Sequence, residues 1–145
     1  RSKSDFIITV ILPQANWDAL GSEFKLFLQA EVEELVRHEL EHSIHETDIL
    51  VEPGDARNKW DSIEHIFKNY ASTTEAKAHV KGFKRKANFM NKYGSETSIE
   101  DVMFNYIQNA IFTPGIEYYG YSQEEMSTVS KRIYNKWADT INSET

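Results

Sequence analysis

The sequence predicts a mostly helical α+β domain, a helical core joined to a small β-sheet, whole or incomplete. Three observations predict it. Five segments after residue 20 carry apolar residues at helical spacing. One run, residues 6–12, is dense in β-branched side chains and ends at Pro13, as a strand does. Ser, Gly and Pro residues sit between these segments where caps and turns belong. At 145 residues, 40% apolar and 27% charged, the chain suits a single domain, 1–145, with a modest core.

Each element follows from its own residues. The strand Phe-Ile-Ile-Thr-Val-Ile-Leu needs partners, and residues 48–52, the stretch near Tyr118 or residues upstream are the sources. The chain opens on Arg1 without an initiator Met, so the domain is expected to be a fragment lacking upstream residues. Residues 24 to about 46 form the first helix. Its stripe Leu28, Val32, Leu35 continues onto Glu39 and His42, with Val36, Leu40 and Ile44 as a second row. This phase predicts an inward Glu39 and a solvent-facing Glu41 beside Arg37. A turn at residues 52–55 precedes a helix over 60–70. Ser72 and Glu75 have capping-box spacing and open a helix to about Tyr93, broken by Gly94. Ser98 caps the next helix, which Thr113, Pro114 and Gly115 are expected to end. Tyr118 to Tyr121 read as an aromatic loop or short extended piece. Ser122 and Glu125 then cap a last helix lined by Met126, Val129, Ile133, Trp137 and Ile141.

A net charge of −7 argues against nucleic acid as the main partner, and the short basic cluster at 81–86 reads as a solvated helix face. No run of apolar residues is long enough to span a membrane. The absence of cysteine excludes disulfides, fits a reducing, cytoplasmic setting and leaves His and carboxylates as the metal ligands available.

The residues that carry chemistry are His38-Glu39-Leu40-Glu41-His42, an HExxH pattern inside the first helix. Imidazoles four residues apart share a helix face and can reach one Zn2+ ion. The adjacent Glu39 can serve as general base on a metal-bound water. A catalytic zinc takes three protein ligands, and His45, Asp48, His65, Glu75 and His79 are candidates for the third. His45 lies about 10 Å along the helix axis from His38, which suits a cleft wall better than a shared ion. Asp48 has the spacing of the last ligand in the metzincin pattern HExxHxxGxxH, but His45 occupies the Gly position. Glu75 is preferred, because it opens a separate helix where free amides stabilise a carboxylate. Its alternative role is simple capping. His79, one turn on, is either a ligand or a hydrogen-bond partner of Glu75.

The HExxH segment, taken with Glu75-Ala76-Lys77-Ala78-His79-Val80, resembles the gluzincin-type minimal zinc metallopeptidases of phages and bacteria. Their second helix reads Glu-x-x-Ala-x-x-Phe/Val. The resemblance covers roughly residues 6–90. It implies a zincin-like fold with Glu75 as third zinc ligand and Ala78 as the small residue that lets two helices approach. It also implies a strand before the motif helix, in a sheet whose edge aligns a peptide, and host cytoplasm for a phage-encoded chain.

The expected activity is therefore hydrolysis of a peptide or protein substrate, with the zinc held by His38, His42 and Glu75 and with Glu39 as base. The developing oxyanion needs a donor, for which Tyr119 and His45 are the candidates chosen among the Tyr118–Tyr121 phenols and the cleft histidines. The competing expectation is a non-catalytic helical module, with a structural zinc or none, acting in a larger protein assembly. A structural site would use four protein ligands, His79 joining the other three.

Overall fold

Helices account for all the regular structure in the computed structural model, which describes residues 21–45 and 59–143. Helix α1 spans Ser22–His45, α2 Ile63–Ala71 and α3 Thr73–Lys92. Helix α4, Ile99–Tyr106, runs into a π-helix over Ile107–Phe112 and then into the short α5, Thr113–Glu117. Helix α6, Gln123–Ser143, closes the described chain.

The α+β expectation is corrected here, since no strand occurs among the described residues. The expected strand at 6–12 and its partner at 48–52 lie outside the described residues. The third strand candidate, the Tyr-rich stretch, is instead a turn that terminates α5. Tyr118 and Tyr119 both donate their backbone N–H to Pro114 O, and Tyr121 donates to Gly115 O, so the backbone is spent on turn bonds.

Serines set the helix boundaries. Ser62 caps α2 by accepting from His65 N. Ser72 ends α2 and begins α3 in one extended residue, its side chain accepting from Glu75 N. Ser98 and Asp101 form a reciprocal box on α4, and Ser122 and Glu125 form one on α6. Gly94, at φ 94°, takes the left-handed conformation that ends α3 at little cost. One terminator fails. Pro114 does not end its helix, because the π-helical stretch before it shifts the hydrogen-bond register where a proline lacks its N–H.

Among the described residues the core belongs to the chain after Lys59. Ile66, Phe83, Met103, Ile111, Met126, Ile133 and Trp137 are fully buried together. Trp137 donates its indole N–H to Tyr70 O at 2.7 Å, which satisfies its one polar atom inside the core. No described side chain of α1 takes part in this cluster. Helix α1 lies instead along α3, and its paired residues fix an antiparallel register: Glu31 meets Lys86, Glu33 meets Arg85, and His42 meets Glu75.

The burial phase of α1 also corrects the sequence reading. The buried residues among its described side chains are Ala30, Glu34 and Glu41, whereas Leu35 and Leu40 are exposed and so is Glu39. Apolar spacing predicts the opposite. The reason lies in α3, which presents Ala78, Gly82, Arg85 and Lys86 to this helix, small or basic groups that suit carboxylates better than leucines.

Candidate metal centre

The centre is assembled where α1 and α3 cross, from side chains one helical turn apart on each. His38 and His42 project from α1, Glu75 and His79 from α3. On both helices an i, i+4 pair puts two donors on one face, and the antiparallel register brings the pairs together. His38 Nε2 lies 3.0 Å from His42 Nε2, His42 Nε2 3.1 Å from Glu75 Oε1, and His38 Nε2 3.5 Å from Glu75 Oε1. Donor atoms around a tetrahedral zinc at ordinary bond lengths stand about 3.4 Å apart. His79 Nε2 is 4.0 Å from Glu75 Oε1, and its ring packs edge-on to His38 with centroids 4.2 Å apart. His38, Glu75 and His79 each offer a ligand atom within 4.8 Å of the others. The cluster of His and Glu side chains is thus capable of coordinating a metal ion.

Exposure grades across the site, from Glu75 (31%) through His42 (22%) and His38 (14%) to His79 (8%). The electrostatics follow that gradient. Burial works to raise the Glu75 carboxyl, but hydrogen bonds and charge from His38 and His42 outweigh it and hold it at about 2. Glu75 is therefore an anion at any ordinary pH. Burial, then the neighbouring His38, pushes His79 well below the usual histidine range, so its imidazole is neutral, the form that binds metal. Tyr70, Phe83, Tyr106 and Trp137 surround its ring at 5.2 to 5.8 Å and fix its position from behind.

Glu75 follows Ser72 as a capping residue should, and its own N–H is capped by Ser72 at 3.4 Å. Its carboxylate does not return the bond. It turns to the histidines, and the Ser72 N–H is satisfied by Lys68 O. The expected reciprocal box is half made, with the carboxylate diverted to the cluster.

The remaining sequence candidates are placed elsewhere. Glu39 lies on the exposed side of α1. Tyr119 stacks flat on Trp60, centroids 4.4 Å apart and planes 4° apart, with Tyr121 donating its hydroxyl to Trp60 O. His65 is exposed and bonded to Ser62. The His45 side chain and Asp48 lie outside what is described. Glu41 pairs with Arg37 at 2.9 Å as expected but is buried where a solvent-facing side chain was expected, and sequence reasoning missed Glu34, which is buried between α1 and α3. Their signal was the basic and small composition of the facing helix.

The zincin-type resemblance and the metalloprotease reading that came with it are corrected by these findings. The candidate ligands are spread over two helices distant in sequence, and HExxH alone does not form the centre. The fold is helical throughout the described residues, with no strand there to align a peptide. Peptide-bond hydrolysis with Glu39 as base, and the hydrolase class and phage or bacterial association attached to it, lose their footing with the fold. No helix among the described residues is long and apolar enough to cross a membrane. No family model matches the chain, and no curated protein or solved structure is similar to it.

Proposed function

We propose that this chain is a non-catalytic helical module built around a structural zinc, held by His38, His42, Glu75 and His79, and acting through protein contacts in a cytoplasmic assembly. The observation that carries the reading is the convergence of two imidazole nitrogens and a carboxylate oxygen within 3.5 Å, with His79 behind them. Lone pairs at such distances repel unless a proton or cation lies between them. Four protein donors complete a tetrahedral shell and leave no position for reacting water, which separates structural from catalytic zinc sites. Three imidazoles and one carboxylate suit a late first-row ion, and zinc is the one without redox chemistry or a demanding geometry. Leu35 and Leu40, exposed on α1, supply apolar surface for a partner.

The test is elemental mass spectrometry of the purified chain after zinc loading and desalting, with X-ray absorption at the zinc edge. The expected result is about one zinc per chain with three imidazoles in the first shell. Glu75→Ala and His79→Ala should lose metal to a similar degree. A first shell with two imidazoles and a water, with His79→Ala fully loaded, would overturn the closed site. No retained metal in any sample would remove the zinc altogether.

A further inference from the structure

We infer that the metal is a clasp for α1: binding docks this helix on α3, and metal loss releases it from a bundle that stays folded. The inference rests on the metal reading above and adds a regulated conformational change to it. The argument begins with what else holds α1. None of its described side chains joins the hydrophobic core, and Ala30 is the fully buried apolar residue among them. Opposite lie Ala78 and Gly82, small residues that let the backbones approach. A Cβ built on Gly82 would stand 2.7 Å from Glu34 O. The larger apolar residues described on α1, Leu28, Val32 and Val36, are only partly buried, and apolar burial is the main source of packing free energy.

The polar contacts do not replace it. Arg85 pairs with Glu33 at 2.9 Å, but the Arg85 side chain is 57% exposed, and exposed pairs contribute little. Lys86 pairs with Glu31, and Glu34 Oε1 lies 3.9 Å from Lys86 Nζ. That Glu34 oxygen is buried without a hydrogen bond, as is Arg37 Nη1, and each such group opposes docking. The interface therefore carries ion pairs at one end, uncompensated polar atoms in the middle and the four donors at the other end.

The core behaves differently. Helices α2 to α6 share an apolar cluster whose largest members are Trp137 and Phe83, and no described side chain of α1 is part of it. A metal bridging His38 and His42 to Glu75 and His79 joins the two parts by ligand bonds. Removing it leaves α1 with contacts of a lesser kind, among them the exposed ion pairs, Lys86 over the Phe27 ring and the partly buried Leu28, Val32 and Val36. The cluster under α3 keeps its own packing.

Hydrogen exchange followed by mass spectrometry on the full chain tests this, comparing zinc-loaded protein with chelator-treated protein, each checked for zinc content. The expected result is a loss of protection in α1 of at least roughly tenfold on zinc removal, with α6 unchanged, as sub-global opening produces. Equal α1 protection in samples that differ by one zinc would overturn the clasp and leave the metal site standing. Parallel loss in α1 and α6 would also overturn it, since the metal would then hold the whole fold. Failure to load zinc at all would remove the metal reading and the clasp together.

Discussion

At the residue scale, Glu75 and Glu39 make opposite predictions although both stand in the motifs first read from the sequence. Glu75→Gln keeps the shape and removes the charge that faces two imidazoles. Zinc affinity should fall by more than the roughly 10–100-fold that loss of an outer partner costs. Glu39→Gln alters an exposed position and should leave affinity unchanged. Competition titration against a chromophoric chelator reads both. Glu34 carries a separate prediction. Burial pushes its carboxyl up to about 7, against the pull of Lys86 and with the push of Glu31. Its ordinary value is 4.5, so between those two pH values the folded chain holds more protons than the unfolded one. Stability of the α1 contact should therefore fall as pH rises from 4.5 toward 7 and level off above it. Glu34→Gln should abolish that slope and stabilise the docked helix by about 2–3 kcal/mol at pH 8, measured by exchange corrected for intrinsic rate. The ligands themselves were legible in part, because HExxH fixes a face of α1 by spacing alone. The side on which Glu39 and Glu41 fall was not. Its phase was taken from the leucines, and the helix that α1 meets selects for carboxylates.

At the scale of elements, the pairing of α1 with α3 depends on Gly82. Gly82→Ala places a methyl against the Glu34 carbonyl, a backbone atom that cannot move aside alone. The helices must separate by some tenths of an ångström, and the four donors with them. The substitution touches no ligand, yet docking and binding are linked and the effect must run both ways. Zinc affinity should drop severalfold in Gly82→Ala, read by the same titration, and α1 protection should drop with it; loss of one without the other would separate the two events. Helices α3, α4 and α6 were legible, because serine caps and apolar spacing agree for each of them. Ser98→Ala should cost about 1 kcal/mol in chemical denaturation, as loss of a made cap does. The continuation of the chain through Pro114 was not legible. A proline after four helical turns reads as a stop unless the preceding register change is known. The close contact of α1 with α3 was legible only as a small residue, Ala78, in the second segment. Gly82 reads as a weak point in a helix until its neighbour is seen.

At the scale of the whole molecule, the described chain divides energetically where its sequence gives no boundary. No linker separates α1 from the rest by composition, although its apolar residues follow helical periodicity much more weakly than those of α2, α3, α4 and α6. That weak phase is the sign in the sequence of what tertiary packing then fixes: the described apolar side chains of α1 stay outside the core cluster. The core and the α1 docking interface then respond to different perturbations. Ile133 is fully buried among Trp137 and its neighbours, and Ile133→Ala should lower global stability by about 2–5 kcal/mol. If α1 opens sub-globally, that loss belongs to the core alone. The zinc-dependent change in α1 protection should keep its size in Ile133→Ala, while the midpoint of denaturant unfolding followed by Trp fluorescence shifts down. The far-UV helical signal lost on zinc removal should likewise be limited to the 24 residues of α1 in both proteins. A zinc effect on α1 that shrank in step with core stability would mean that the two parts unfold as one cooperative unit, with the metal acting on that unit and not on a helix of its own.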